Sequence, residues 1–425
     1  MMNDFLTSDT KAILLLCGFF GKDHGEKPLT QTEYTLLVHW LINNKMRPAD
    51  LLQNDHIVDV SKEKTFDRKR LESLLGRGVQ LGFAVEEWQR NGIWIISRSD
   101  SDYPVRYKKH LKDKAPPILY GVGDRSLLSG GGLAIVGSRN VDKEGEEFTR
   151  RMAELCALNR LPVISGGARG VDQFAMAASL DAGGVAVGIL AENLLKKSLE
   201  RASRHAIADG RLVLLSPYHP NARFTVGTAM SRNKLIYALA DYGLVVSVEY
   251  KKGGTWAGAE EELNRDHSLP VFVRLGENAP QGNSKLLALG AIGWPEIIDR
   301  NRLKQQLSDL STQTQEKQCQ KNPGLFDYMS VEETKSIENA REQADEVVSG
   351  EIPVVEKEIN SGEFTDAVYQ AALPLILNKL TTPATIEELS ESLNVVKTQL
   401  NIWLKKAIDE HKIIKLSRPL RYQKV

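Results

Sequence analysis

The feature that most constrains this chain is the stretch from Leu133 to about Val273, where short apolar runs alternate with helix-length segments. Residues 133–136, 162–164, 185–189, 212–215, 244–248 and 271–273 read as strands buried on both faces, because each is a short β-branched run too brief for a helix. Segments 144–158, 171–182, 231–240 and 257–264 fall between them and carry helical spacing. This alternation predicts a parallel sheet covered by helices on both sides, a Rossmann-like α/β core.

Two strand-to-helix turns in that core have a composition that packing alone does not explain. The first strand runs into Gly137-Ser138-Arg139, and the second into Ser165-Gly166-Gly167-Ala168-Arg169-Gly170-Val171-Asp172. Glycine and serine ahead of a helix open a cradle of backbone N–H groups for an anion, and an arginine beside it can clamp a phosphate oxygen. Ligands of open α/β sheets bind at the carboxyl ends of the strands, where both turns meet. Two more clusters are expected on that face. Ser231-Arg232-Asn233-Lys234 opens a helix, and Lys251-Lys252-Gly253-Gly254-Thr255-Trp256 follows the 244–248 strand. For the second, a glycine turn with a buried Trp is the packing alternative. Together they predict a basic groove built from Arg139, Arg169, Arg232, Lys234, Lys251 and Lys252.

Several chemistries are missing their signatures. The G-x-G-x-x-G fingerprint is absent in its strict spacing and no acid ends the second strand, which argues against NAD or FAD. The P-loop pattern is absent as well. No G-x-S-x-G elbow occurs, and Ser216-Pro217-Tyr218-His219-Pro220 reads as a rigid loop. Glu260, Glu261 and Glu262 either supply a general base or complement the start of their helix. The 3 cysteines form no C-x-x-C, and the 8 histidines form no H-x-x-x-H. A metal site, a disulfide framework and a cofactor are therefore not expected, and reduced cysteines point to the cytoplasm. The longest apolar run, residues 12–20, is short of the roughly 20 residues that span a bilayer. Lys+Arg and Asp+Glu are balanced at 55 each, so any affinity for nucleic acid must come from local placement of charge.

The flanks divide the chain further. Residues 1–100 read as a helical module, with helices over 11–20, 31–43, 67–75 and 81–91. Its Leu74-Leu75-Gly76-Arg77-Gly78 piece resembles a helix-hairpin-helix turn. Such a turn either presents amides to a phosphate or simply needs glycine for a positive φ. The core takes 101–302. Residues 303–362, rich in Gln, Ser and Thr and then in acids, read as a linker. Residues 363–425 hold helices at 366–379, 386–393 and 396–410, then a ribbon at 412–416 and 421–424 around Arg418-Pro419, the outline of a winged helix. Its third helix and ribbon are rich in Lys and Arg, consistent with docking onto DNA or onto protein.

The chain resembles the DNA-processing protein A (DprA/Smf) family. The resemblance rests on Tyr103-Pro104, Pro116-Pro117-Ile118-Leu119-Tyr120 with Gly123, Val136-Gly137-Ser138-Arg139, the Ser165–Asp172 motif and Arg232-Asn233-Lys234-Leu235-Ile236. It implies a cytoplasmic, non-enzymatic homodimer that binds single-stranded DNA through the Rossmann-like core. It also implies assistance in loading the RecA recombinase during DNA uptake or recombination. By that resemblance Gly137, Ser138 and Arg139 contact phosphate, Gly166, Gly167, Arg169 and Gly170 lie beside them, and Arg232 and Asn233 share the pocket. Lys234, Lys252, Gly253, Gly254 and Thr255 complete the expected DNA-binding set. The chain departs from the family pattern in placing Phe224 eight residues before Arg232 and in having Gly-Gly-Thr-Trp for Ser-Gly-Ser. The alternative is a Rossmann-like nucleotide sensor or a phosphoribohydrolase-like enzyme, echoed in Gly253-Gly254-Thr255 and Glu260.

Overall fold

A computed structural model describes residues 6–20, 25–53, 60, 66–296, 299–321, 372–374, 376–380, 382–393, 397–410, 412–416 and 421–424. The chain forms two compact units divided at Met329/Ser330, and each is described by itself.

The first unit is built on a nine-stranded sheet. Its strands are β1 (Trp94–Ser97), β2 (Ile118–Val122), β3 (Leu133–Gly137), β4 (Val163–Ser165), β5 (Ala186–Ile189), β6 (Leu212–Ser216), β7 (Tyr242–Ser247), β8 (Val271–Val273) and β9 (Ile292–Gly293). They lie in the order β1-β2-β6-β5-β4-β3-β7-β8-β9. Strands β3 to β9 are mutually parallel, and β2 and β1 add antiparallel at one edge. All six expected strands are present within two residues of their expected bounds. Strands β1, β2 and β9 lie outside the alternating pattern that revealed the others.

Side-chain alternation along β3 shows how the sheet is covered. Leu133 and Ile135 face the helices Lys143–Leu158 and Val171–Asp181, in a core with Met152, Cys156 and Ala175. Ala134 and Val136 face the opposite layer, where Leu235, Leu239, Trp256 and Leu286 come from the helices Val226–Leu239, Gly253–Leu263 and Gln281–Ala288. A period of two on a strand with both faces apolar is what a sheet sandwiched by helices requires. The chain winds outward from β3 through β4, β5 and β6, then returns to place β7 on the other side of β3. The loops after β3 and β7 therefore part company, and a crevice opens between them.

The N-terminal helices do not form a module separate from this sheet. Ser8–Cys17, Gln31–Asn43, Arg68–Leu75 and Gly78–Arg90 share one core with Ile95, Ile118, Tyr120, Leu212 and Leu214. Asp100 fastens the join. It accepts from Thr7 Oγ1 (2.8 Å), Thr10 Oγ1 (2.7 Å) and the Ser97 backbone N–H (2.7 Å). The expected boundary at residue 100 thus falls inside a continuous core, because β1 belongs to the sheet. The positive-φ reading of the Leu74–Gly78 turn does not hold either. Gly76 has φ −71°, and neither Gly76 nor Gly78 takes a positive φ. Arg77 is buried and donates to the carbonyls of Leu74 (3.2 Å), Gly18 (3.0 Å) and Leu15. The turn is held by that guanidinium against the end of the first helix.

Residues 303–321, expected as the start of a linker, form a helix, Leu303–Lys321. Leu303 and Leu307 are buried, and Leu310 packs beside them in the core that contains Phe272 and Trp294. Asn159 Oδ1 accepts the Leu303 backbone N–H at 3.1 Å and sets the entry of the chain. Gln and Ser dominate the composition, but leucines at i, i+4 and i+7 make one apolar stripe. Composition hid the periodicity.

The second unit has the helices Ile386–Leu393 and Lys397–Asp409 and a ribbon of Ile413–Leu416 with Arg421–Lys424, antiparallel with Ile413 opposite Lys424. Leu380, Leu389, Leu400, Leu404 and Tyr422 form its own core. The expected helix at 366–379 is described only over 372–374 and 376–379, both helical. The turn at Arg418-Pro419 and residues 322–371 lie outside the described residues. No helix among the described residues is long and apolar enough to cross a membrane.

Two measurements check this packing. Leu307→Ala should cost about 2–5 kcal/mol in urea unfolding, the usual range for truncating a buried leucine; a change under about 0.5 kcal/mol would mean the helix does not dock. His219 packs edge-on against Phe19 and Trp88, with ring centroids 5.8 and 5.7 Å away. Burial pushes its pKa below the usual histidine value, with Glu87 opposing. Its charged form is disfavoured in the fold, so stability present above the ordinary pKa is lost as pH falls towards the folded one. The melting temperature should drop between pH 7.5 and pH 5, and part of that drop should vanish in His219→Phe. An equal drop in both proteins would contradict the assignment.

Candidate nucleic-acid interface

Both loops that meet at the crevice are fixed by backbone contacts. Beyond the last residue of β3, Ser138 N–H still donates to Ser247 O at 2.8 Å, so the β3–β7 ladder continues into the turn. Thr255 Oγ1 donates to Gly137 O at 3.1 Å from the neighbouring helix. Gly170 has φ +88°, and a Cβ there would stand 2.4 Å from Ser138 O and 2.7 Å from Arg139 O. The turn after β4 therefore presses against the turn after β3, backbone to backbone, and only glycine fits. The two motifs meet as expected.

Arg139 sits at the mouth of the crevice. Its guanidinium carbon lies 4.5 Å from the centroid of the Phe224 ring. The side chain is exposed, and among the described residues no acid lies within ion-pair distance. A cation held over an aromatic face keeps its charge available while losing some rotamer freedom. Phe224, noted in the sequence only as a departure, is 37% exposed here and is a site residue. It enters through a loop between β6 and the Val226–Leu239 helix, so no local motif marks it.

Arg232 has a different place from the one expected. The Val226–Leu239 helix starts five residues before the expected Ser231, because Thr225 and Thr228 form a capping box with bonds of 3.0 and 3.2 Å. Arg232, Asn233 and Lys234 then fall in mid-helix, where consecutive side chains cannot share one face. Arg232 is 4% exposed and donates to the carbonyl oxygens of Gly166 and Ile189, at the ends of β4 and β5. It braces the floor that both hollows share, with its charge spent on those carbonyls instead of standing out in a basic groove. Beside it is Asp172, also buried, which accepts the Ala168 backbone N–H at 3.4 Å. Burial pushes the Asp172 carboxyl up, and the Arg232 charge and the amides of Ala168 and Gly166 pull it back. Burial likewise pulls the Arg232 guanidinium down, and Asp172 counters it.

Asn233 points to the cleft and donates from Nδ2 to Gly254 O at 2.7 Å. This ties it to the Gly253–Leu263 helix, which begins at Gly253, earlier than expected, so that Gly253, Gly254 and Thr255 form its first turn at the cleft. The first amides of a helix lack intrahelical partners, so a helix N-terminus at the cleft suits an anion. Lys234 does not reach the cleft. It lies half-buried on another face, where burial lowers its pKa, Glu261 opposes, and Lys114 and Arg265 add to the lowering. Lys252 borders the cleft but is paired with Glu249 at 2.6 Å, and Lys251 lies against the Tyr250 ring at 5.4 Å.

The resulting cleft has a volume of about 330 Å³ between the β3 turn, the Phe224 loop and the Gly253–Thr255 turn. A second hollow of about 490 Å³ adjoins it, lined by Gly166, Gly167, Arg169, Lys196 and Lys197. Arg139 and Phe224 form the ridge common to both. Arg169 donates to Asn140 Oδ1 at 2.5 Å and so joins the two turns. Lys196 and Lys197 were not legible as site residues in the sequence, because they belong to the helix Leu194–Leu199 and follow no motif.

The groups considered for hydrolysis lie elsewhere. Trp256 Nε1 donates to Glu260 Oε2 at 3.0 Å, and buried Glu262 is engaged by His110 (3.1 Å), Arg265 (3.2 Å) and the Leu269 N–H (3.1 Å). None of the three glutamates borders the cleft. Ser216 Oγ accepts the Tyr218 N–H at 3.1 Å, which makes that segment a rigid loop. The cleft thus offers cations, amides and an aromatic face, a set that grips phosphate and stacks on bases.

Residues 94–300 match the family model described as DNA recombination-mediator protein A. The DNA processing protein DprA of Bacillus subtilis is 29% identical over 210 residues, covering 48% of this chain and 69% of that protein. Protein Smf of Synechocystis is 29% identical over 215 residues, 48% of this chain and 53% of the relative, so the match spans about half of that relative's length. The X-ray structure of DprA from Streptococcus pneumoniae has the same fold, with a TM-score of 0.53 at 21% identity over 68% of this chain and 95% of the other. Residues 94–300, just under half of the chain, therefore form a domain of the DprA/Smf family.

Proposed function

We propose that the cleft binds the backbone of single-stranded DNA, and that the protein is a DNA-processing, recombination-linked protein without hydrolytic activity. The observation that carries this reading is Arg139, an exposed guanidinium with no acidic partner among the described residues, laid on Phe224 where two glycine turns and a helix N-terminus converge. A single strand suits such a place because its phosphates meet the cation and amides while its bases stack on the ring. Duplex DNA keeps its bases paired and gains only the charge. Assistance to RecA and dimerisation extend the proposal on family membership alone, and DNA uptake, repair and defence against foreign DNA remain equal settings for it.

A mononucleotide sensor is the competing reading, supported by the modest size of the cleft. Affinity decides between them. A sensor binds a mononucleotide tightly, whereas a DNA site needs several linked phosphates.

Arg139→Ala should weaken binding of single-stranded DNA by about 1–3 kcal/mol. Its salt slope should become shallower by about 0.7, the loss of one phosphate contact. The melting curve should not move. Arg232→Met should behave in the opposite way. It strands Asp172 and two carbonyls in the interior and should cost about 3–5 kcal/mol of stability. Fluorescence anisotropy and thermal melting of both variants check the pair. If Arg139→Ala binds as the parent protein does, or if AMP competes as well as an oligonucleotide, the proposal fails.

A further inference from the structure

The two helices that begin at the cleft lead to a second basic hollow. The helices Val226–Leu239 and Gly253–Leu263 give residues near their N-terminal ends to the cleft. Ala238 and Ala240, at the far end of the first, and Arg265, just past the second, border a hollow of about 660 Å³. A helix of 14 residues rises about 21 Å, which sets the scale of the separation. The remaining wall is the helix Val105–Leu111 and the turn Lys112–Lys114.

Most charges around this hollow are already matched. Arg106 is bound to Asp241 (2.8 Å), Arg265 to Glu262 (3.2 Å), and Asp113 faces His39 (3.3 Å) and Arg98 (3.7 Å). What remains is Lys109, Lys112 and Lys114, all exposed and without an ion-pair partner among the described residues, against Asp266. Lys234, half-buried nearby, has its pKa lowered mainly by burial, with Glu261 opposing and Lys114 and Arg265 adding to the lowering. Two non-glycine residues of the lining, Lys112 (φ +50°) and His267 (φ +57°), sit in the left-handed region. Such conformations cost energy and cluster at binding and switch segments.

We infer that this hollow is a second phosphodiester site, which engages a single strand of DNA long enough to extend beyond the cleft. The inference rests on the reading of the cleft as a single-strand site. It makes Lys109, Lys112 and Lys114 the contacts, each displacing counterions from one phosphate. A short oligonucleotide occupies the cleft alone. A longer one reaches both and gains affinity without any new contact in the cleft.

The test is anisotropy with oligo(dT) of about 4 and about 30 nucleotides, one at the lower end of the usual site sizes and one well beyond their upper end. The full chain is compared with Arg139→Ala, with K109E/K112E/K114E and with the milder K109Q/K114Q. The triple variant should lose about tenfold or more for the longer oligonucleotide, with a salt slope shallower by about 2, and stay within about twofold for the shorter. K109Q/K114Q should lose a smaller part of the same increment, and Arg139→Ala should lose affinity at both lengths. Unchanged affinity of the triple variant for the longer strand overturns the second site alone. So does an equal loss at both lengths, which is a field effect. A poly-glutamate peptide that binds the parent protein but not the triple variant, while the longer strand binds both equally, assigns the hollow to an acidic protein partner and overturns the inference. If the parent protein binds neither oligonucleotide, the reading of the cleft fails as well.

Discussion

The buried guanidinium of Arg232 is the constraint on which the site depends. Two parallel strands, β4 and β5, end with the carbonyls of Gly166 and Ile189 turned inward, and one arginine nitrogen satisfies both. A charge in that position is costly unless paired, and Asp172 supplies the counter-charge from the first turn of the next helix. The pair in turn dictates the glycine at 166, where a Cβ would lie 2.3 Å from the Arg232 Cζ. The turn is thereby fixed from below, and its neighbour, the β3 turn, is fixed through Gly170. Arg139 is carried on this rigid base. Its own side chain does no structural work, which frees it to meet a ligand.

This division of labour separates two arginines that look alike in the sequence. Arg139 lies in a glycine turn and Arg232 in the Ser-Arg-Asn-Lys motif, and both were expected in one basic groove. The helix cap at Thr225 decides between them, because it starts the Val226–Leu239 helix early and turns Arg232 inward and Lys234 away. The same geometry reduces the expected groove to fewer exposed cations, Arg139 and Arg169 with Lys252 tied to Glu249, and adds Lys196 from the adjoining hollow, where Lys197 is paired with Glu200. A neutral chain can hold such a site because the charge is concentrated where the sheet opens.

The alternating core was legible because strands buried on both faces leave near-continuous apolar runs between helical spacings, and those runs survive in the sequence. β1 and β2 were not legible. β2 pairs antiparallel with β6 and β1 antiparallel with β2 at the edge, and both share a core with the N-terminal helices, so they do not follow the strand–helix rhythm. The Leu303–Lys321 helix was concealed by Gln and Ser that coat a stripe of only three leucines. In the site, the glycine turns were readable because positive φ and close backbone approach leave glycine no substitute. Phe224 was not, since its role arises from a loop crossing the crevice from elsewhere in the chain.

The claim at the centre of this account is that a strand of DNA lies across the ridge of Arg139 and Phe224. Photo-crosslinking with single-stranded DNA carrying 5-iodouracil, followed by peptide mapping, reads that contact directly, since the adduct forms where an aromatic side chain stacks on the base. The account predicts adducts on Phe224, which disappear when it is replaced by leucine while binding persists. Adducts confined to the second unit, residues 397–424, with none on the Phe224 peptide, would contradict it.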